Sequence, residues 1–142
     1  MDTPSPILGI DYGTKRVGTA ISDIYQRFAS PYKLIPNNGN VCEQILDIIK
    51  EKHIKTIVIG LPMGQSGNKT QMSDTIKTFG TEVTEKAQRA KLSVTIVYIN
   101  EALTSYQAYD NLLLRGATHQ KIKGKLDTEA ARIILQEYLD DL

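Results

Sequence analysis

Apolar positions along this chain follow two periods. In "TIVIG" (56–60) and "SVTIVYIN" (93–100) nearly every residue is apolar or β-branched, the pattern of strands covered on both faces. Residues 7–11 read as a first strand of the same kind, and the turn "YGTK" leads into a second, Arg16 to Asp23. In that second strand Val17, Thr19 and Ile21 alternate with Gly18, Ala20 and Ser22, a small-residue face on which another element can pack closely. A weaker third strand, about Phe28 to Ile35, is interrupted by Pro31, which predicts a sheet edge.

Helical spacing appears in between. "PNNGN" breaks the chain, and Asn40 with Glu43 reads as a capping box opening a helix with Val41, Ile45, Ile48 and Ile49 on one face. Met72, Ile76, Phe79, Val83 and Ala87 recur every three or four residues and predict a long second helix. Thr104 and Gln107 fit the start of another, which stops at Gly116. After the basic stretch "THQKIKGK", read as a loop, Asp127 opens a last helix with Ala131, Ile134, Leu135 and Tyr138 inward. Strands first, then alternating helices and strands, predict an α/β fold: a five-stranded mixed sheet with helices on both faces. Right-handed crossovers make the fourth and fifth strands parallel to the first, and ligands of such sheets gather at the carboxyl ends of the parallel strands.

Three carboxylates are predicted at that edge. Asp11 ends the first strand, Glu101 follows the last, and Asp127 begins the helix that folds back across it. Gathered carboxylates repel and need a cation, and Mg²⁺ or Mn²⁺ suits oxygen ligands on rigid supports. Such ions activate water and stabilise the leaving oxygen of a phosphodiester. Each residue also has a plainer reading: "DYG" is ordinary turn chemistry, Glu101 fits a solvated loop, and Asp127 fits a helix cap. The convergence of all three is what points to metal-dependent hydrolysis.

Charge bears on the substrate. The 142 residues carry a formal net charge of +1, so a polyanion must be met by a local cluster rather than by the field of the whole molecule. Lys15 and Arg16 in the first turn, and Lys121, Lys123 and Lys125 before Asp127, supply such a cluster; solvated surface is the plainer reading. Tyr12 and Tyr106 flank two of the carboxylates, as packing residues or base-stacking ones, and His119 has a pKa range suited to proton transfer. The glycine-rich "GLPMGQSGN" fits a cleft wall but lacks the ending of a phosphate-binding P-loop.

Length fits one domain over residues 1–142. Cys42 is the single cysteine, which excludes an internal disulfide and fits a reducing compartment. Neither a signal peptide nor a run of roughly 20 apolar residues is visible, so the expectation is a cytoplasmic protein without a membrane partner.

Taken together, "GIDYGTKRVGTAISD", "VIGLPMGQSGN", "NEALTS" and "LDTEAARIILQEYL" resemble the YqgF family of bacterial proteins, the pre-16S rRNA nucleases or RuvX-type Holliday junction resolvases. The resemblance runs over nearly the whole chain in the same order. It implies a ribonuclease H-like fold and a metal-dependent nuclease that trims the 5′ end of precursor 16S rRNA during ribosome biogenesis. The family's acidic residues fall on Asp11, Glu101 and Asp127. Where the family usually reads Asp-Glu-Arg, this chain has Asn100, Glu101 and Ala102, which removes a guanidinium able to contact phosphate.

Other readings stand beside this one. A resolvase of branched DNA needs two sites related by a dimer axis, so the assembly is a monomer or a homodimer according to substrate. A non-catalytic RNA-binding factor acting on pre-ribosomal particles needs no metal. "DYGT" also resembles the first phosphate loop of actin-like ATPases, but those proteins pair two such domains around the nucleotide.

Overall fold

Leu8 and Ile10 of β1 (Leu8–Tyr12) point into one apolar cluster, while Gly9 and Asp11 lie on the opposite face, where a helix crosses. This computed structural model describes residues 4–62, 71–101, 114, 116 and 119–142; for Glu101 and residues 119–124 it describes the backbone alone. β1 pairs antiparallel with β2 (Arg16–Ser22), which pairs antiparallel with β3 (Ala29–Pro36). On its other side β1 is parallel to β4 (Thr56–Pro62), and β4 is parallel to β5 (Thr95–Glu101). The order β3-β2-β1-β4-β5 is the mixed five-stranded sheet expected from the sequence, and β3, with Pro31 inside it, is at an edge.

Helices cover both faces. α1 (Val41–Lys52) and α2 (Gln71–Arg89) bury Ile45, Ile48, Ile49, Ile76, Phe79 and Val83 against Leu8, Ile10, Ile57 and Ile59. On the other face α3 (His119–Asp140) sets Ala131, Ile134, Leu135 and Leu139 against Ile7, Ala20 and Val58. Each fully buried aliphatic chain contributes about 1.5–3 kcal/mol relative to exposure, so these two clusters hold the layers together.

Two local expectations are corrected. Asn40 is the N-cap of α1 but its side chain makes no capping bond, and Glu43 instead receives a hydrogen bond from Lys86 Nζ at 2.5 Å. The segment "THQKIKGK" is not a loop: from His119 onward it is part of α3, so Asp127 lies inside the helix and caps nothing. Gly124 costs a helix only about 1 kcal/mol relative to Ala. Apolar contacts among Leu126, Ala130 and Ile133, a second stripe on α3, offset it. Of the two roles open to Tyr12, packing is the one seen: its ring lies on Phe79 with centroids 4.7 Å apart. The segments around Tyr106 and "MGQSGN" lie outside the described residues; beyond the former, Leu114 is helical and Gly116 takes a φ of 80°.

Candidate active site

Asp11 pairs with Gly18 across the β1–β2 ladder, one residue beyond the last β1–β4 pair, Ile10 with Ile59. The turn that follows is tightly determined. A Cβ on Gly13 would lie 2.5 Å from the carbonyl oxygen of Arg16, so only glycine fits there. Asn37 then ties the turn down, its Nδ2 donating to the Gly13 carbonyl at 2.8 Å and its backbone N–H to that of Lys15 at 2.9 Å. Lys15 and Arg16 are therefore held at the same sheet end as Asp11, and both are exposed.

α3 reaches this end by resting on glycine. A Cβ on Gly9 would stand 2.7 Å from the Leu135 Cβ, and one on Gly18 would stand 2.1 Å from the carbonyl oxygen of Asp127. No other residue leaves that room. The small face of β2 foreseen from the sequence is thus the seat of α3, and it brings Asp127 beside Asp11.

The electrostatics follow from this proximity. The Asp11 carboxyl is pushed up to about 6, first by burial and then by the negative charge of Asp127. Among the described residues it accepts no side-chain hydrogen bond and has no ion-pair partner. Asp127 differs: Arg16 Nε donates to its Oδ2 at 2.8 Å, at the rim of the site. Asp11 is half-buried and, among the described residues, has no compensating cation, whereas its neighbour is answered by a guanidinium.

The remaining predicted residues fall as follows. Glu101 ends β5 opposite Pro62, on the same sheet edge and two strands from β1, a backbone separation of roughly 10 Å. Its side chain lies outside what is described. Lys125 is exposed on α3 two residues before Asp127, and residues two apart on a helix do not share a face. Lys121 and Lys123 belong to the helical backbone of α3, with side chains outside the described set, as is that of His119. Among the described residues there is no group of three or more metal-binding side chains; Asp11 and Asp127 make a pair. The residue that sequence reasoning passed over is Gly18, whose position opposite Asp11 on a small-residue face was the available signal.

Comparison with known proteins places this geometry in context. A family model described as "RuvX: Holliday junction resolvase" matches residues 5–141. The curated "Putative pre-16S rRNA nuclease" of Maridesulfovibrio salexigens is 36% identical over 135 residues, covering 94% of this chain and 96% of its own. That of Malacoplasma penetrans is 35% identical over 135 residues, covering 95% and 94%. Among solved structures, Thermus thermophilus RuvC in complex with a Holliday junction substrate superposes with a TM-score of 0.54 at 13% identity, over 96% of this chain and 94% of that one. Fowlpox virus resolvase with Holliday junction DNA gives 0.55 at 13% identity, over 96% and 97%. These likenesses identify the fold as ribonuclease H-like.

Proposed function

We propose that this chain, which belongs to the RuvX family, hydrolyses phosphodiester bonds in structured RNA with a divalent cation held between Asp11 and Asp127. Family and relatives make it a nuclease, a hydrolase of nucleic-acid ester bonds. The substrate we favour is the 5′ end of precursor 16S rRNA, in keeping with the names its relatives carry. Such an enzyme would work where ribosomal particles are assembled, in the cytoplasm, and residues 1–142 would fold as one domain.

The observation that carries the reading is the half-buried Asp11 carboxylate, uncompensated among the described residues and beside a second one. A carboxylate placed so is unfavourable unless a cation joins it, and an all-oxygen donor set suits Mg²⁺ or Mn²⁺ better than softer metals. Asp11 and Asp127 would hold the ion, with Glu101 completing the set from β5. When bound, the cation supplies the positive charge that activates water and offsets the charge gathering on the leaving oxygen.

The chain's own groups do the rest. Gly18 and Gly9 fix the height of α3, and with it the position of the Asp127 main chain relative to β1. Arg16 holds Asp127 through Nε and stands exposed at the rim, where its guanidinium would meet a phosphate oxygen. Lys15, held by the Asn37 brace, would take a neighbouring phosphate, and Lys121 and Lys125, four apart on α3, would meet phosphates from one face of that helix with Lys123 on another. Ala102 offers no such contact on the β5 side.

The test is cleavage of labelled precursor RNA by wild type and Asp11→Asn, with Mg²⁺, Mn²⁺ or chelator. Wild type should cut with either ion and stop with chelator, and a folded Asp11→Asn should be inactive. If Asp11→Asn cuts as well as wild type, the assignment fails. The family model's own description favours a second reading, resolution of branched DNA. A DNA junction in the same assay decides it, because symmetric incision there requires a homodimer.

A further inference from the structure

The turn joining β2 to β3 lies at the far end of the sheet from Asp11, since Ile21 pairs with Leu8 while Gly18 pairs with Asp11. The seven residues of β2 span roughly 20 Å between the two ends. At the far end Tyr25 and Phe28 are 64% and 67% exposed, the only exposed aromatic rings among the described residues. The Arg27 guanidinium lies 5.3 Å from the centroid of one ring and 5.8 Å from that of the other.

This turn is held in shape. The Asp23 carboxylate accepts backbone hydrogen bonds from Tyr25 at 3.2 Å and from Arg27 and Phe28 at 2.8 Å each. Gln136 of α3 adds a further tie, donating from Nε2 to the Arg27 carbonyl at 3.0 Å and accepting from the Ala29 N–H at 2.9 Å. The one carboxylate in the turn is thereby engaged with its own backbone and, at 3.5 Å, with Arg27 Nε, whose side chain stays 65% exposed, and the rings are presented on a fixed frame.

Beside the turn a cavity of about 430 Å³ opens toward the end of α1, walled by Ile24, Lys52, His53 and Lys55 together with the segment Pro4 to Pro6. An adjoining one of about 440 Å³ continues past Tyr25 and Lys55. Neither wall contains an aspartate or glutamate. Flat apolar rings beside cavity walls that carry lysines and no acid suit a ligand that has apolar faces and regularly spaced negative charge. An unpaired nucleotide strand has both. A protein interface fits less well, because lysine is depleted at such surfaces.

We propose that this surface is a second contact for the nucleic-acid substrate, taking unpaired bases on Tyr25 and Phe28 and the adjoining phosphates at Arg27, Lys52 and Lys55. It deepens the nuclease reading and rests on it, by giving the enzyme a way to recognise a single-stranded flank roughly 20 Å from the bond it cuts.

The test measures binding without chemistry. Fluorescence anisotropy of a labelled single-stranded oligoribonucleotide in chelator should give equal affinity for wild type and Asp11→Asn. The double variant Tyr25→Ala, Phe28→Ala should bind about tenfold more weakly, the loss expected for one or two bases unstacked. Lys52→Gln with Lys55→Gln should flatten the dependence of log K on log salt by about 0.7 per lysine. Cleavage of a substrate lacking a single-stranded flank should be unchanged in both double variants. Wild-type affinity in both, with circular dichroism showing them folded, would overturn the proposal while leaving the nuclease reading intact. So would unaltered RNA binding accompanied by conversion of a dimer to a monomer, which would assign the surface to a second copy of the chain.

Discussion

Arg16 and Asp127, 111 positions apart in the chain, meet through one 2.8 Å contact between Nε and Oδ2. The side chains remain 46% and 22% exposed, so water screens the pair. Ion pairs of this kind contribute about 0–1 kcal/mol. Arg16→Gln should therefore lower stability by less than about 1 kcal/mol in a urea titration. Its effect on substrate should be larger: weaker binding, with the salt dependence flattened by about one phosphate contact. An equally salt-sensitive variant would remove Arg16 from the substrate interface.

Asp11 gives a pH prediction whose sign is fixed by its raised pKa. Folding holds the proton more tightly than the unfolded chain does, since the folded value is about 6 and the ordinary value 3.8. The associated stability is fully present below about pH 4 and is lost as pH rises through 6. The cost above that range is at most roughly 3 kcal/mol, from about 1.4 kcal/mol per pKa unit. Asp11→Asn should then be more stable than wild type at pH 8, with the gap closing near pH 4, in parallel urea melts. A constant gap across that range would contradict it.

The same carboxylate predicts a response to metal. Adding Mg²⁺ at pH 8 should raise the melting temperature of wild type, because a ligand that binds only the folded state stabilises it. Asp11→Asn should show little or no rise. A matching rise in both would move the ion elsewhere.

Gly18→Ala should damage both fold and activity. Its Cβ would sit 2.1 Å from the Asp127 carbonyl oxygen, a backbone atom that yields only if α3 lifts. Overpacking of this sort costs about 1–3 kcal/mol, and the lift displaces Asp127. Gly39→Ala is the control: it meets nothing within 4 Å but has a φ of 97°. It should cost about 1 kcal/mol in backbone strain with cleavage unchanged.

Cys42 should be inert. Its thiol donates to Glu82 at 3.2 Å, and burial followed by that carboxylate pushes it up to about 12, from 9.0. The thiolate fraction at pH 8 falls about a thousandfold, so a disulfide reagent should label Cys42 only on unfolding. Rapid labelling of the native protein would refute this.

Much of this architecture was legible from spacing. The alternation of Gly18, Ala20 and Ser22 announced the seat of a helix, and Pro31 announced an edge, because both reflect local sterics. Asp127 was misplaced for a reason equally local. An aspartate after Gly124 and Lys125 has the look of a helix start, whereas the helix runs on through the glycine, with Leu126, Ala130 and Ile133 forming one apolar stripe along it. The Arg16–Asp127 contact depends on how α3 crosses the sheet, and no periodicity within either segment encodes a crossing.

At Gly18 the main chain of α3 rests directly on β2, and no side chain is interposed there to act as an adjustable shim. A rotamer change cannot relieve or loosen that contact, which lies beside the two acids. Their spacing behaves as a mechanical constant of the scaffold, so variation in this enzyme's rate should arise from what lines the rim and not from how the interior is filled.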